Sequence, residues 1–203
     1  MNRNTLILSA LLLGGTPSLG LAEVAGDAAK AEPIVNSLCV GCHGADGNSV
    51  VPTFPKLAGR SAEYLLKQLQ DFKNKKRASD IMVPSVASLS ASDMANLAVY
   101  YSGKKPAPGD VKQPALVAAG KKVYDDGNPA GGVLSCSGCH GADGAGSPLY
   151  PRLAGQHVEY TLSELELFAT SKRKNDKRQM HEIAERLSPD ERKAVAEYIA
   201  GLK

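Results

Sequence analysis

Apolar residues recur at helical spacing in two stretches that mirror each other. In the stretch 61–74, Tyr64, Leu65, Leu69 and Phe72 fall on one face; in 158–170, Tyr160, Leu165 and Phe168 do the same. Two more helices are predicted from their caps. Ser90-Ala91-Ser92-Asp93 is a capping signal, and Ser188-Pro189-Asp190-Glu191 adds Pro at the first helical position. Both of these helices are expected to end at glycine, Gly103 and Gly201. A further helix is predicted over 114–125; its counterpart before Cys39 contains Pro33 and should be shorter or shifted. No segment sustains strand alternation, so the pattern predicts an all-α chain.

The mirror relation extends to the polar landmarks. Cys39-Val40-Gly41-Cys42-His43-Gly44-Ala45-Asp46-Gly47 returns 97 residues later as Cys136-Ser137-Gly138-Cys139-His140-Gly141-Ala142-Asp143-Gly144. Pro55-Lys56-Leu57-Ala58-Gly59 returns as Pro151-Arg152-Leu153-Ala154-Gly155, and Met82 has its counterpart in Met180. Two homologous units follow, unit one over 23–105 and unit two over 115–203. The segment 106–114 holds three prolines and no apolar periodicity, which predicts an extended linker.

The first 22 residues read differently. Arg3 precedes the Leu-rich run 5–15, and small residues lead to Gly20-Leu21-Ala22. That is the three-part pattern of a secretory signal peptide cleaved after Ala22; an uncleaved anchor is the alternative. The apolar run is shorter than the roughly 20 residues a membrane span needs. Export as a soluble protein is therefore expected.

Composition adds two points. With three Phe, seven Tyr and no Trp, each unit has little to build a core from, so a cofactor, metal or disulfide should supplement it. The net charge of +3 is too weak to argue for nucleic acid, and no basic patch is interleaved with aromatics.

All four cysteines lie in Cys-x-x-Cys-His strings. A disulfide framework gives no reason for the His that follows each pair. A thioredoxin-like pair needs a preceding strand, and a four-Cys zinc site would have to join motifs in separate units. The string is the attachment signature of c-type haem. Two thiols one helical turn apart can add to the two vinyl groups at one porphyrin edge, and the next residue brings an imidazole under the iron. Cys39, Cys42, Cys136 and Cys139 are thus the expected thioether positions, with His43 and His140 as proximal ligands.

A sixth ligand is expected from Met82 and Met180, which lie 39 and 40 residues after their histidines. Met94 falls in a capped helix and reads as core. His181, directly after Met180, is a competing ligand, and His157 has no counterpart in unit one.

Taken together, these motifs resemble the dihaem cytochrome c4 family over nearly the whole chain after residue 22. The resemblance implies two tandem class I cytochrome c domains, each wrapped around one covalently attached haem c, with His/Met ligation and propionate edges facing each other. It implies an electron carrier without substrate chemistry, cycling Fe(II)/Fe(III) in the periplasm and loosely associated with the membrane. A quinol-oxidising complex would be the donor and a terminal oxidase or reductase the acceptor. The family pattern also places a proline carbonyl on each proximal imidazole, which suits Pro55 and Pro151. Tyr64 and Tyr160 either reach the propionates or pack as core. The runs 73–77 and 172–174 are either solvated charge or a guide for an acidic partner. Two other functions stay open: a cytochrome subunit of a larger dehydrogenase or sulfur-oxidising complex, and a haem enzyme with one open iron.

Overall fold

The computed structural model describes residues 23–203; the expected signal peptide, 1–22, lies outside the described residues. Unit one contains α1 (Ala28–Ile34), α2 (Val40–His43), α3 (Ala62–Lys73), α4 (Met82–Val86) and α5 (Ala91–Ser102). Unit two repeats the order with α6 (Val117–Asp126), α7 (Ser137–His140), α8 (Val158–Ala169), α9 (Gln179–Ala184) and α10 (Pro189–Gly201). Among the described residues there is no strand, only an isolated antiparallel bridge between Asn128 and Val133. No helix among them is long and apolar enough to cross a membrane.

The predicted caps are present. Ser90 and Ser188 each accept from the backbone N–H three residues on, and Asp93 and Glu191 return a bond to the cap residue. Gly103 caps α5 as expected, whereas α10 runs through Gly201 and is capped by Leu202. Pro33 does not interrupt its helix. It lies inside α1, and the chain continues through a π turn, Val35–Cys39, into α2. The proline removes one donor from the ladder, and the next turn takes the wider π spacing.

In each unit the first helix crosses the last. Ala31 of α1 and Ala98 of α5 are both fully buried. In unit two Gly120 makes the approach possible, because a Cβ there would lie 1.9 Å from the Ala194 carbonyl oxygen on α10. Each unit has its own apolar cluster. Phe72, Leu97 and Tyr101 anchor the first, and Tyr124, Phe168 and Ile199 anchor the second. Met94 is core, as its position predicted.

The linker has no regular structure, but both units tie it down. Asn48 donates to the Lys105 carbonyl and accepts from the Ala107 N–H, and Lys56 Nζ donates to the Pro108 carbonyl at 2.5 Å. From the other side, Glu197 accepts from the Lys112 N–H at 2.7 Å.

Candidate haem centres

The repeated landmarks are one hydrogen-bonded structure. Each CxxCH string supplies a short helix, α2 or α7, that ends at a glycine with φ of 76° (Gly44) or 83° (Gly141). Asp46 and Asp143 then accept from the backbone N–H two residues on, which turns the chain. The carbonyl of Gly47 accepts from the Leu57 and Ala58 N–H groups, and that of Gly144 from Leu153 and Ala154. Finally, the Gly59 and Gly155 N–H groups donate to the Tyr101 and Ile199 carbonyls on the last helices. The Pro-x-Leu-Ala-Gly string is therefore the strap joining the Cys-x-x-Cys-His loop to the end of its unit.

The strap also positions the histidine. The Pro55 carbonyl accepts from His43 Nδ1 at 2.9 Å, and the Pro151 carbonyl accepts from His140 Nδ1 at 2.9 Å. Both rings are buried, and desolvation outweighs those bonds to hold their pKa values below the usual histidine value. The neutral imidazole is the metal-binding form, and committing Nδ1 leaves Nε2 for the metal. The cysteines are unpaired. Burial pushes the Cys136 thiol up to about 11 and raises Cys39 as well. This is opposite to the low-pKa thiolate of a disulfide exchanger.

Each methionine shares an apolar cluster with the first Cys of its unit. Met82 and Cys39 pack against the core cluster of unit one, and Met180 and Cys136 against that of unit two. The Met82 N–H donates to Ser79 Oγ at 3.0 Å, and the Met180 N–H to Asp176 Oδ2 at 2.7 Å. His181 has partners of its own. Its Nδ1 lies 2.9 Å from the Phe168 carbonyl and its Nε2 3.1 Å from Glu185, so both nitrogens are engaged. His157 bonds across the units instead, with Nε2 2.9 Å from the Ser49 carbonyl.

Comparison with known proteins decides the family. A family model described as cytochrome c matches twice, over residues 28–101 and 117–203. Cytochrome c4 of Thiocapsa roseopersicina is 44% identical over 185 residues, covering 89% of this chain and 95% of the relative. The chain belongs to the dihaem cytochrome c4 family. The crystal structure of reduced recombinant cytochrome c4 from Pseudomonas stutzeri superposes with a TM-score of 0.84 at 38% identity, covering 88% of this chain and all of that one. A thiosulfate dehydrogenase electron acceptor from Stutzerimonas stutzeri is 36% identical over 170 residues, covering 81% of this chain and 78% of the relative.

Cytochromes c4 are dihaem electron-transfer proteins, and this chain carries two covalently bound haem c groups. Its residues fit them. Each unit offers reduced thiols one helical turn apart, a neutral imidazole with Nε2 uncommitted, and a thioether packed on the same core cluster as the first Cys.

A buried polar seam between the units was not foreseen. Tyr64 and Tyr160 are interface residues here, not core. Arg77 donates to Tyr160 Oη at 3.0 Å, and Arg173 to Tyr64 Oη at 3.1 Å. Glu164 accepts from Arg77 at 2.7 Å and from Arg173 at 2.5 Å. Gln68 Oε1 accepts from the same two guanidiniums, at 2.9 and 3.2 Å. Burial pushes the Glu164 carboxyl up, but the two arginines outweigh it and hold its pKa below the usual value. The runs 73–77 and 172–174 are thus only partly surface charge, because Arg77 and Arg173 within them are buried. The signal available in the sequence was their matched spacing from Tyr64 and Tyr160.

Proposed function

We propose that this protein is a periplasmic electron carrier with His43 and Met82 as axial ligands in unit one and His140 and Met180 in unit two. Cys39 and Cys42, and Cys136 and Cys139, are the thioether positions. Domain one spans 23–105 and domain two 115–203, with 106–114 as the tethered linker. The observation that carries the reading is the double recurrence of one arrangement: a strap-held, neutral histidine, and a methionine packed on the same core cluster as the first Cys.

The haem supplies one-electron chemistry, and a thioether axial ligand raises its potential. The chain's part is to hold those ligands still. The strap fixes the imidazole orientation, and the Pro carbonyls raise its basicity. Ser79 and Asp176 anchor the backbone of the two methionines. A site with both axial positions filled leaves no place for a substrate, which suits carriage and not catalysis.

The donor is a quinol-oxidising complex and the acceptor a terminal oxidase or reductase. A second reading, in which a dehydrogenase delivers the electrons, is favoured by the relative that serves as a thiosulfate dehydrogenase electron acceptor. Spectra of the purified holoprotein, oxidised and reduced, with and without carbon monoxide, test the carrier reading. Two low-spin haems per chain, a thioether-to-iron charge-transfer band and no response to carbon monoxide are expected. Ready carbon monoxide binding at one haem would contradict it.

A further inference from the structure

The seam has an approximate two-fold arrangement. Tyr64 and Tyr160, Gln68 and Glu164, and Arg77 and Arg173 are pairs at a constant spacing of 96 residues. Each arginine crosses to the other unit's tyrosine, and each reaches both Gln68 and Glu164. These paired residues differ at one position, where unit one has an amide and unit two a carboxylate; Asn175 of unit two adds bonds to Gln68 and Asp71.

That exception fixes the charge. Arginine stays protonated in proteins. Among the paired residues alone, two guanidiniums and one carboxylate sum to +1; two amides would make that +2 and two carboxylates neutral, with the neighbouring buried Arg60 and Asp71 unchanged in each case. The side chains of Arg77, Arg173 and Glu164 are 9%, 8% and 14% exposed, so solvent screens this charge poorly. The charge also borders the apolar cluster of each unit. Arg77 sits 4.6 Å from the Phe72 ring centroid and Arg173 4.4 Å from that of Phe168. Phe72 belongs to the cluster on which Met82 packs, and Phe168 to the one on which Met180 packs. Arg77 further lines a cavity of about 420 Å³ with Ser79, Val83 and Pro84, flanking the Met82 loop.

We propose that Gln68 and Glu164 together set the net charge of the buried seam, and through it shift the midpoint potentials of both haems in the same direction. Glu164 bonds to arginines from both units, so its charge is shared across the interface. Positive charge held near an iron favours the ferrous state, which carries one charge fewer. Gln68 and Glu164 are positioning residues in this scheme and touch no iron.

The inference rests on the electron-transfer reading, and its test separates the two. Both midpoint potentials are measured by spectroelectrochemical titration of the holoprotein in wild type, Glu164→Gln, Gln68→Glu and the double variant that exchanges the two. Glu164→Gln should raise both potentials, and Gln68→Glu should lower both. The exchange restores the cluster charge and should return both towards wild type. Gln68→Glu adds a carboxylate between two guanidiniums, so it keeps the test alive if Glu164→Gln fails to fold. Unmoved potentials, a response at one haem only, or shifts of the same sign in both single variants would overturn the proposal. The methionine charge-transfer band, recorded on the same samples, reports failure of the axial assignment separately.

Discussion

The strap beside each Cys-x-x-Cys-His loop is held by the same bonds in both units; elsewhere they reach the same end by different chemistry. The strap from Pro55 or Pro151 to the last helix repeats bond for bond, and the two histidine-to-proline distances are both 2.9 Å. The methionine loops share no such identity. Ser79, three residues before Met82, anchors one, and Asp176, four residues before Met180, anchors the other. In unit two, the consecutive left-handed residues Lys177 and Arg178, with φ of 60° and 67°, lead into α9; α4 has no such entry. The helix crossings differ too, with alanines at one and a glycine at the other. The lesson is that the imidazole must be oriented by a specific bond, whereas the methionine need only be delivered to a place.

The crossing offers the strongest way to break this comparison. At Gly120 the glycine is needed, since a methyl group would drive α6 away from the backbone of α10. Gly120→Ala should cost about 3 kcal/mol, the upper range for overpacked cores. In unit one, Gly26 precedes α1 in irregular chain; a Cβ there would lie 2.6 Å from the Ala95 carbonyl oxygen, and relieving that contact moves irregular chain and not a helix, at the expense of the Asp27 N–H bond to Asn96 Oδ1. Gly26→Ala should cost about 1 kcal/mol or less. Urea denaturation of the two holoprotein variants checks this, and equal losses would show that the crossings are equivalent after all.

A smaller effect sharpens the likeness. Ser90→Ala and Ser188→Ala each remove half of a capping box, and each should cost about 1 kcal/mol. Glu191 also accepts from Asn128 at 2.8 Å, so the α10 box has a tie to the loop before Cys136 that Asp93 lacks. If the same denaturation measurement shows Ser188→Ala to be the more costly of the two, that tie rigidifies the box.

Local chemistry explains why so much of each unit was legible. Caps, helical stripes and the haem-attachment string are short-range signals, and they placed α3, α5, α8 and α10 to within a residue or two; α6 starts three residues late, after a tighter turn over Pro114–Leu116, and α4 and α9 were not predicted. Gly201 and Pro33 mark the limits of that reading. A glycine at a helix end need not terminate it, and a proline can sit inside a helix when the next turn widens. Met82 and Met180 were singled out by comparing the repeats, because neither stands out alone. The seam was illegible for a different reason. Arg77 and Arg173 sit in lysine-rich runs that read as surface, and their partners in the other unit lie 83 to 109 residues away in the chain. Only docking one unit on the other shows that Tyr64 and Tyr160 face an interface.

The central claim is that each unit is closed by its own methionine. Replacing Met82 or Met180 by Ala, one at a time, and recording the carbon monoxide response and the charge-transfer band of the holoprotein tests it most directly. Each variant should open one haem to carbon monoxide and lose about half of the band, with the other haem unchanged. A variant that keeps the full band and stays inert to carbon monoxide would show that another residue closes that unit.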